Sequence, residues 1–125
     1  MNKEVKRRKF DLEDRLIDYA IGISEVTELL PKTPLGRYLK DQMIRSGTSP
    51  ALNYGEAQSA ESTKDFIHKL KIILKELRET LIGLKIINRK QMIVPASKLD
   101  KIIKENNELI SIFVKSVETA KKNMK

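Results

Sequence analysis

From Asp11 to Leu30 the apolar residues Leu12, Leu16, Tyr19, Ile23, Val26 and Leu30 recur at steps of three and four, the period of one helix face. Pro31 and Pro34 end that run. Thr33-Pro34 then reads as an N-cap followed by proline at the first helical position, where a missing N–H costs nothing. The second helix runs from about Pro34 to Gln58 through Leu35, Tyr38, Leu39, Met43, Leu52 and Tyr54. Gly47 and Pro50 interrupt it, and proline cannot donate to the carbonyl four residues back, so a bend near Pro50 is expected. The alternative is two short helices divided at Gly47-Thr48-Ser49-Pro50. Ser62 and Asp65 are spaced like a variant capping box and start a third helix, whose stripe is Phe66, Leu70, Ile73, Leu77, Leu81 and Leu84. After Asn88-Arg89-Lys90 and the linker 91–95, a fourth helix carries Leu99, Ile102, Ile103, Leu109, Ile110, Phe113 and Val117.

No segment alternates with period two, and the connections are short enough to make neighbouring helices antiparallel. The pattern predicts an all-α fold, an up-down-up-down antiparallel four-helix bundle with its second helix bent near Pro50. A length of 125 residues suits one domain, 1–125. Without tryptophan, and with three Phe and three Tyr, the core must be built from Leu, Ile and Val.

Composition narrows the chemistry. With no cysteine there is no disulfide, no thiolate nucleophile and no cysteine-ligated metal. The charged start of the chain lacks the apolar stretch of a secretory signal, and no apolar run approaches the ~20 residues of a membrane span. A cytoplasmic protein with no membrane contact is expected. The net charge of +8 is concentrated in the ends, with +4 in residues 1–9, +3 in residues 115–125 and +1 between them.

The one histidine, His68, lies about 200° around its helix from Phe66, away from the core stripe. A di-iron bundle site needs Glu-x-x-His on each of two helices, so no metal or other cofactor is expected. There is no glycine-rich phosphate loop and no serine that the spacing pairs with a base. Glu76 and Glu79 share a helix with Lys75 and Arg78 and read as ion-pair partners. The expectation is a binding protein and not an enzyme.

Two features point to partners. Lys64, Lys71, Arg78 and Lys85 repeat every seven residues with Lys75 beside them, a band about 80° wide that makes one basic stripe on the third helix. Such a stripe suits phosphate, and since it holds no aromatic on which a base stacks, contact with RNA or DNA backbones is expected rather than sequence reading. The first helix is acidic, with Asp11, Glu13, Asp14, Asp18, Glu25 and Glu28 against Arg15. Pairing of that face with the stripe, within or between subunits, accounts for the charges equally well, and the chain is then a protein–protein adaptor or structural assembly. Ile17 and Ile21 lie off the core face of the first helix, and Ile72, Ile82 and Ile86 off that of the third, which points to self-association.

The stretch Arg45-Ser46-Gly47-Thr48-Ser49-Pro50-Ala51-Leu52-Asn53-Tyr54-Gly55-Glu56, followed by Lys64-Asp65-Phe66 and Glu76-Leu77-Arg78-Glu79, resembles the four-helix-bundle proteins encoded within intervening sequences of bacterial 23S ribosomal RNA genes. There too an Arg, Ser, Pro, Asn, Glu block precedes Lys-Asp-Phe and Glu-Leu-x-Glu. The chain departs from that family where Glu-Gly often follows the Asn: here Glu56 is followed by Ala57 and preceded by Gly55. The resemblance implies a four-helix bundle assembled as a homopentamer. The chain is also similar to the accessory protein of diversity-generating retroelements, a basic pentamer of this fold that binds nucleic acid and a reverse transcriptase. Arg45, Asn53, Glu56, Glu76 and Glu79 are expected to form a polar network fixing the register of the second and third helices, with a loss of about 3–5 kcal/mol if one buried member is removed.

Overall fold

The computed structural model describes residues 11–124, so the basic segment 1–9 lies outside the described residues. Four α-helices, α1 (Leu12–Glu28), α2 (Pro34–Ala57), α3 (Thr63–Lys90) and α4 (Asp100–Asn123), follow one another, with a short 3-10 turn at Ala96–Leu99 before α4. Among the described residues there is no strand, and no helix is long and apolar enough to cross a membrane. Each helix packs on the next, and α4 returns to α1, closing an up-down-up-down bundle.

Local chemistry sets the helix starts. The Asp11 carboxylate accepts from the Asp14 amide at 2.9 Å, Thr33 Oγ1 from the Gly36 amide at 3.0 Å, and Ser62 Oγ from the Asp65 amide at 3.1 Å. Each satisfies a donor that the first turn would leave orphaned. Position 36 must be glycine, because a Cβ there would stand 1.9 Å from the Pro31 carbonyl oxygen. At the end of α3, Gln91 takes the left-handed conformation (φ 56°) and closes the helix.

The core follows most of the sequence pattern in α1, α3 and α4, where Leu16, Tyr19, Ile23, Leu70, Ile73, Leu77, Leu84, Leu109 and Phe113 are buried, while Leu12, Phe66, Leu81, Ile102, Ile103 and Ile110 of the expected stripes are half-buried. It departs from it in α2. Tyr38 and Leu52 are 63% and 64% exposed, and the inward face beside Leu39 and Met43 is completed by Ser46, Gly47 and Pro50. Small residues there bring neighbours close: a Cβ at Gly47 would meet Ile23 at 2.7 Å, and one at Gly83 would meet Met43 Sδ at 2.7 Å. The helix runs unbroken through Pro50, so the division into two short helices does not occur. Proline removes one backbone bond, while tertiary packing keeps the helix whole.

A polar layer crosses the middle of this core, and each helix supplies one member. Asn106 Nδ2 donates to the Tyr19 hydroxyl at 2.5 Å, and the Tyr19 phenol also bonds Thr80. The Thr80 hydroxyl donates to the Glu76 carbonyl at 2.9 Å. That leaves the Ser46 hydroxyl, 2.7 Å away, as the donor to Thr80. Burial pushes the Tyr19 phenol well above its ordinary pKa, against the pull of the Asn106 amide that donates to it, so it stays neutral. Thr80→Val strips the layer of its hub and leaves buried polar partners unmet. It should lower stability by about 1–3 kcal/mol in a urea melt, with an unchanged m-value.

Candidate nucleic-acid interface

Along α3 the buried face is Leu70, Ile73, Leu77, Leu84 and Ile87, and the helix turns its opposite side outward. Lys64, Lys71, Lys75, Arg78 and Lys85 are all exposed on that side. At 100° per residue Ile82 falls inside the same band and Ile86 at its edge; Ile82 is 56% exposed. The surface is therefore basic with an apolar strip, and neither isoleucine is covered within the subunit. Ile72, by contrast, is half-buried.

The ion pairs among the described residues lie elsewhere. Arg15 grips Glu105 with Nε at 2.7 Å and reaches Glu108 with Nη2 at 2.6 Å, tying α1 to α4. Lys69 pairs with Glu56, and Arg45 Nη1 stands 3.9 Å from Glu76 Oε1. None of these pairs uses the α3 stripe. Pairing of the stripe with acidic α1 inside one subunit is thus not seen, and the topology explains it: in this bundle α1 and α3 occupy diagonal corners and face opposite ways.

The five-residue network expected between α2 and α3 is divided. Arg45 approaches Glu76, but its side chain is 60% exposed, so it is not a buried charge. Asn53 turns back on its own helix and donates to the Ser49 carbonyl at 3.0 Å and hydroxyl at 2.8 Å. Glu56 is taken by Lys69. A loss of several kcal/mol on removing Arg45 therefore does not follow, since exposed pairs contribute at most about 1 kcal/mol.

What remains buried is carboxylate. Oε1 of Glu76 and Oε1 of Glu79 are both shielded from solvent, and no hydrogen-bond donor meets them. Burial first, then the neighbouring Glu79 carboxylate, raises the Glu76 pKa, against the pull of Arg45 and Lys75. The folded chain thus holds this proton more tightly than the unfolded chain. Stability falls as pH climbs through the ordinary carboxylate range to the raised folded value, and the full cost is felt above it. Glu76→Gln should raise the melting temperature by a few degrees at neutral pH, and the advantage should vanish below about pH 4. Melts of both chains across that range check this, and a gain that persists in acid would contradict it.

The polar layer and the Arg15 clamp were not anticipated. Asn106 carried the one available signal, a polar residue in phase with Ile102, Leu109 and Phe113 on the core face of α4.

The model of the family described as 23S rRNA-intervening sequence protein matches residues 8–115. Among solved structures, the chain is similar to a protein of unknown function of the S23 ribosomal protein family from Bacteroides thetaiotaomicron, known from a crystal structure. The two are 28% identical with a TM-score of 0.74, over 84% of this chain and 96% of that one. A comparison with curated proteins finds no match.

Proposed function

Because the chain belongs to the 23S rRNA-intervening sequence protein family, and its α3 stripe is exposed without a carboxylate partner in the described subunit, we propose that it is a non-enzymatic, homo-oligomeric bundle that binds RNA or DNA backbones. The unpartnered stripe is the observation that carries this reading. Five cations on one rigid helix present a line of charge whose spacing the bundle holds fixed, so little ordering is needed on binding. The absence of a stacking aromatic on that face favours phosphate contact over base reading. A homopentamer in the cytoplasm is the form that the family resemblance suggests, and exposed Ile17, Ile21, Ile82 and Ile86 support association of some order.

A second reading rests on one observation: the outward side of α1 carries Asp18, Glu25 and Glu28 with Ile17 and Ile21, the opposite of α3 in charge and its equal in apolar content. In that reading the α3 stripe of one copy docks on the α1 face of another, and nucleic acid has no place. Fluorescence polarisation with unrelated RNA and DNA oligonucleotides separates the two. Backbone binding gives similar affinities for unrelated sequences that fall steeply as salt is raised. No binding at low salt ends the nucleic-acid reading.

A further inference from the structure

Of the neighbouring helix pairs, α1 and α4 close the bundle with the least contact, and a groove of about 900 Å³ opens between them. Ile21, Leu29 and Ile102 line its floor, and Ile21 and Leu29 are 52% and 51% exposed. Gly22 lets the floor lie deep, since a Cβ there would meet Ile102 Cδ1 at 2.9 Å. From Ile21 to Leu29 the floor runs about 12 Å, roughly two helical turns. The two walls have opposite signs. Asp18 and Glu25 stand on α1, one heptad apart, while Lys98, Lys101 and Lys104 stand at three-residue steps on the α4 side. Glu105 and Glu108 also border the groove, but Arg15 neutralises them, so the α4 wall presents its lysines. Among the described residues no ion pair joins the two walls.

A ligand that meets both walls must be long, because Asp18 and Glu25 alone are about 10 Å apart along their helix. Both walls are helices and offer no open backbone edge, so an extended peptide would leave its amides and carbonyls unpaired, whereas a helix satisfies its own. A second copy laid groove on groove makes a two-fold contact that stops at a dimer, and it builds no larger ring. We propose that the α1–α4 groove receives one amphipathic helix of a different protein. Its apolar residues, at i, i+4 and i+7, lie on Ile21, Leu29 and Ile102. Lysine or arginine lines the flank that faces Asp18 and Glu25, and aspartate or glutamate the flank that faces Lys98, Lys101 and Lys104. The floor supplies affinity. The walls fix the direction in which the helix lies, since turning it end for end sets like charges together. The α3 stripe, diagonal to α1, takes no part, so nucleic acid and the partner helix bind on separate sides of the bundle.

The probe is a fluorescein-labelled, stapled helical peptide of that pattern, titrated with the full chain by polarisation beside two controls, one with lysine on both flanks and one with glutamate on both. The wild-type chain should bind the mixed peptide about tenfold more tightly than either control. Asp18→Lys with Glu25→Lys makes both walls basic and should shift the preference to the glutamate peptide. Lys101→Glu with Lys104→Glu makes both acidic and should shift it to the lysine peptide. Ile21→Ser with Leu29→Ser should weaken binding of the mixed peptide by roughly tenfold or more, with circular dichroism verifying that the helices remain. No binding by the wild type, or one order of preference in all the chains, would overturn the groove as a helix site. A fall in mass of both charge variants by light scattering would overturn it in favour of a neighbouring copy of the chain. Glutamate peptide held equally by every chain and displaced by RNA would overturn it in favour of docking on α3.

Discussion

Replacing Lys71, Lys75 and Arg78 together by alanine should lower the affinity for an unrelated RNA oligonucleotide on the order of 100-fold at low salt, taking each lost charge-assisted contact at roughly 1 kcal/mol. The slope of log K against log salt should shrink as well, by about one unit for each phosphate contact removed and so by about three. The fold should survive, because all three side chains are exposed and join none of the ion pairs seen in the subunit. Exposed substitutions of this kind usually change stability by no more than about 0.5 kcal/mol. Titrations at several salt concentrations supply affinity and slope together. An unchanged slope would show that the phosphate lies elsewhere. Loss of the oligomer with no change in RNA binding would move the stripe to a subunit interface.

The largest effect on stability is expected at Phe113. Its ring is fully buried and meets Tyr54 edge-on, with centroids 6.0 Å apart and planes at 79°, so it joins α4 to α2 across the diagonal of the bundle. Phe113→Ala removes that bridge and opens a cavity in a core that the surrounding helices can only partly close. The cost is about 3–5 kcal/mol, to which loss of the ring pair adds roughly 0.5–1.5 kcal/mol. Against a typical domain stability of about 5–15 kcal/mol this should lower the melting temperature by more than about 10 °C. Phe66 provides the contrast, since it is only half-buried near the start of α3 and its alanine variant should lose markedly less. Equal losses at the two positions would mean that the α2–α4 contact has no special weight.

What could be read without coordinates was what depends on one helix at a time. The caps at Thr33 and Ser62 are local side chain-to-amide bonds, and they stand where the spacing placed them. The basic stripe is likewise a property of one helix, so its five members share a face as soon as α3 is helical. The reading failed where small residues do the packing: on α2 the pattern of large apolar side chains drew in Tyr38 and Leu52, whereas Ser46, Gly47 and Pro50 meet the neighbouring helices. It also failed wherever two helices must be placed against each other. The Tyr19–Asn106 bond joins residues 87 apart in the chain, and the Arg15–Glu105 bond residues 90 apart. The groove of about 900 Å³ between α1 and α4, lined by residues such as Ile21, Gly22 and Ile102, has no linear signature at all, because it is made by the gap between two amphipathic surfaces. The α2–α3 network was overdrawn for a related reason, since a shared helix face does not reveal that Asn53 will bond its own backbone or that Lys69 will claim Glu56.

The central claim is that an oligomer of this bundle carries nucleic acid on an electrostatic surface. Light scattering after size exclusion tests it most directly, run on the full chain at low and at high salt, with and without added RNA. The account predicts a protein mass of several subunits, a heavier complex with RNA at low salt, and release of that RNA at high salt. A low-salt peak whose mass RNA never changes would contradict it.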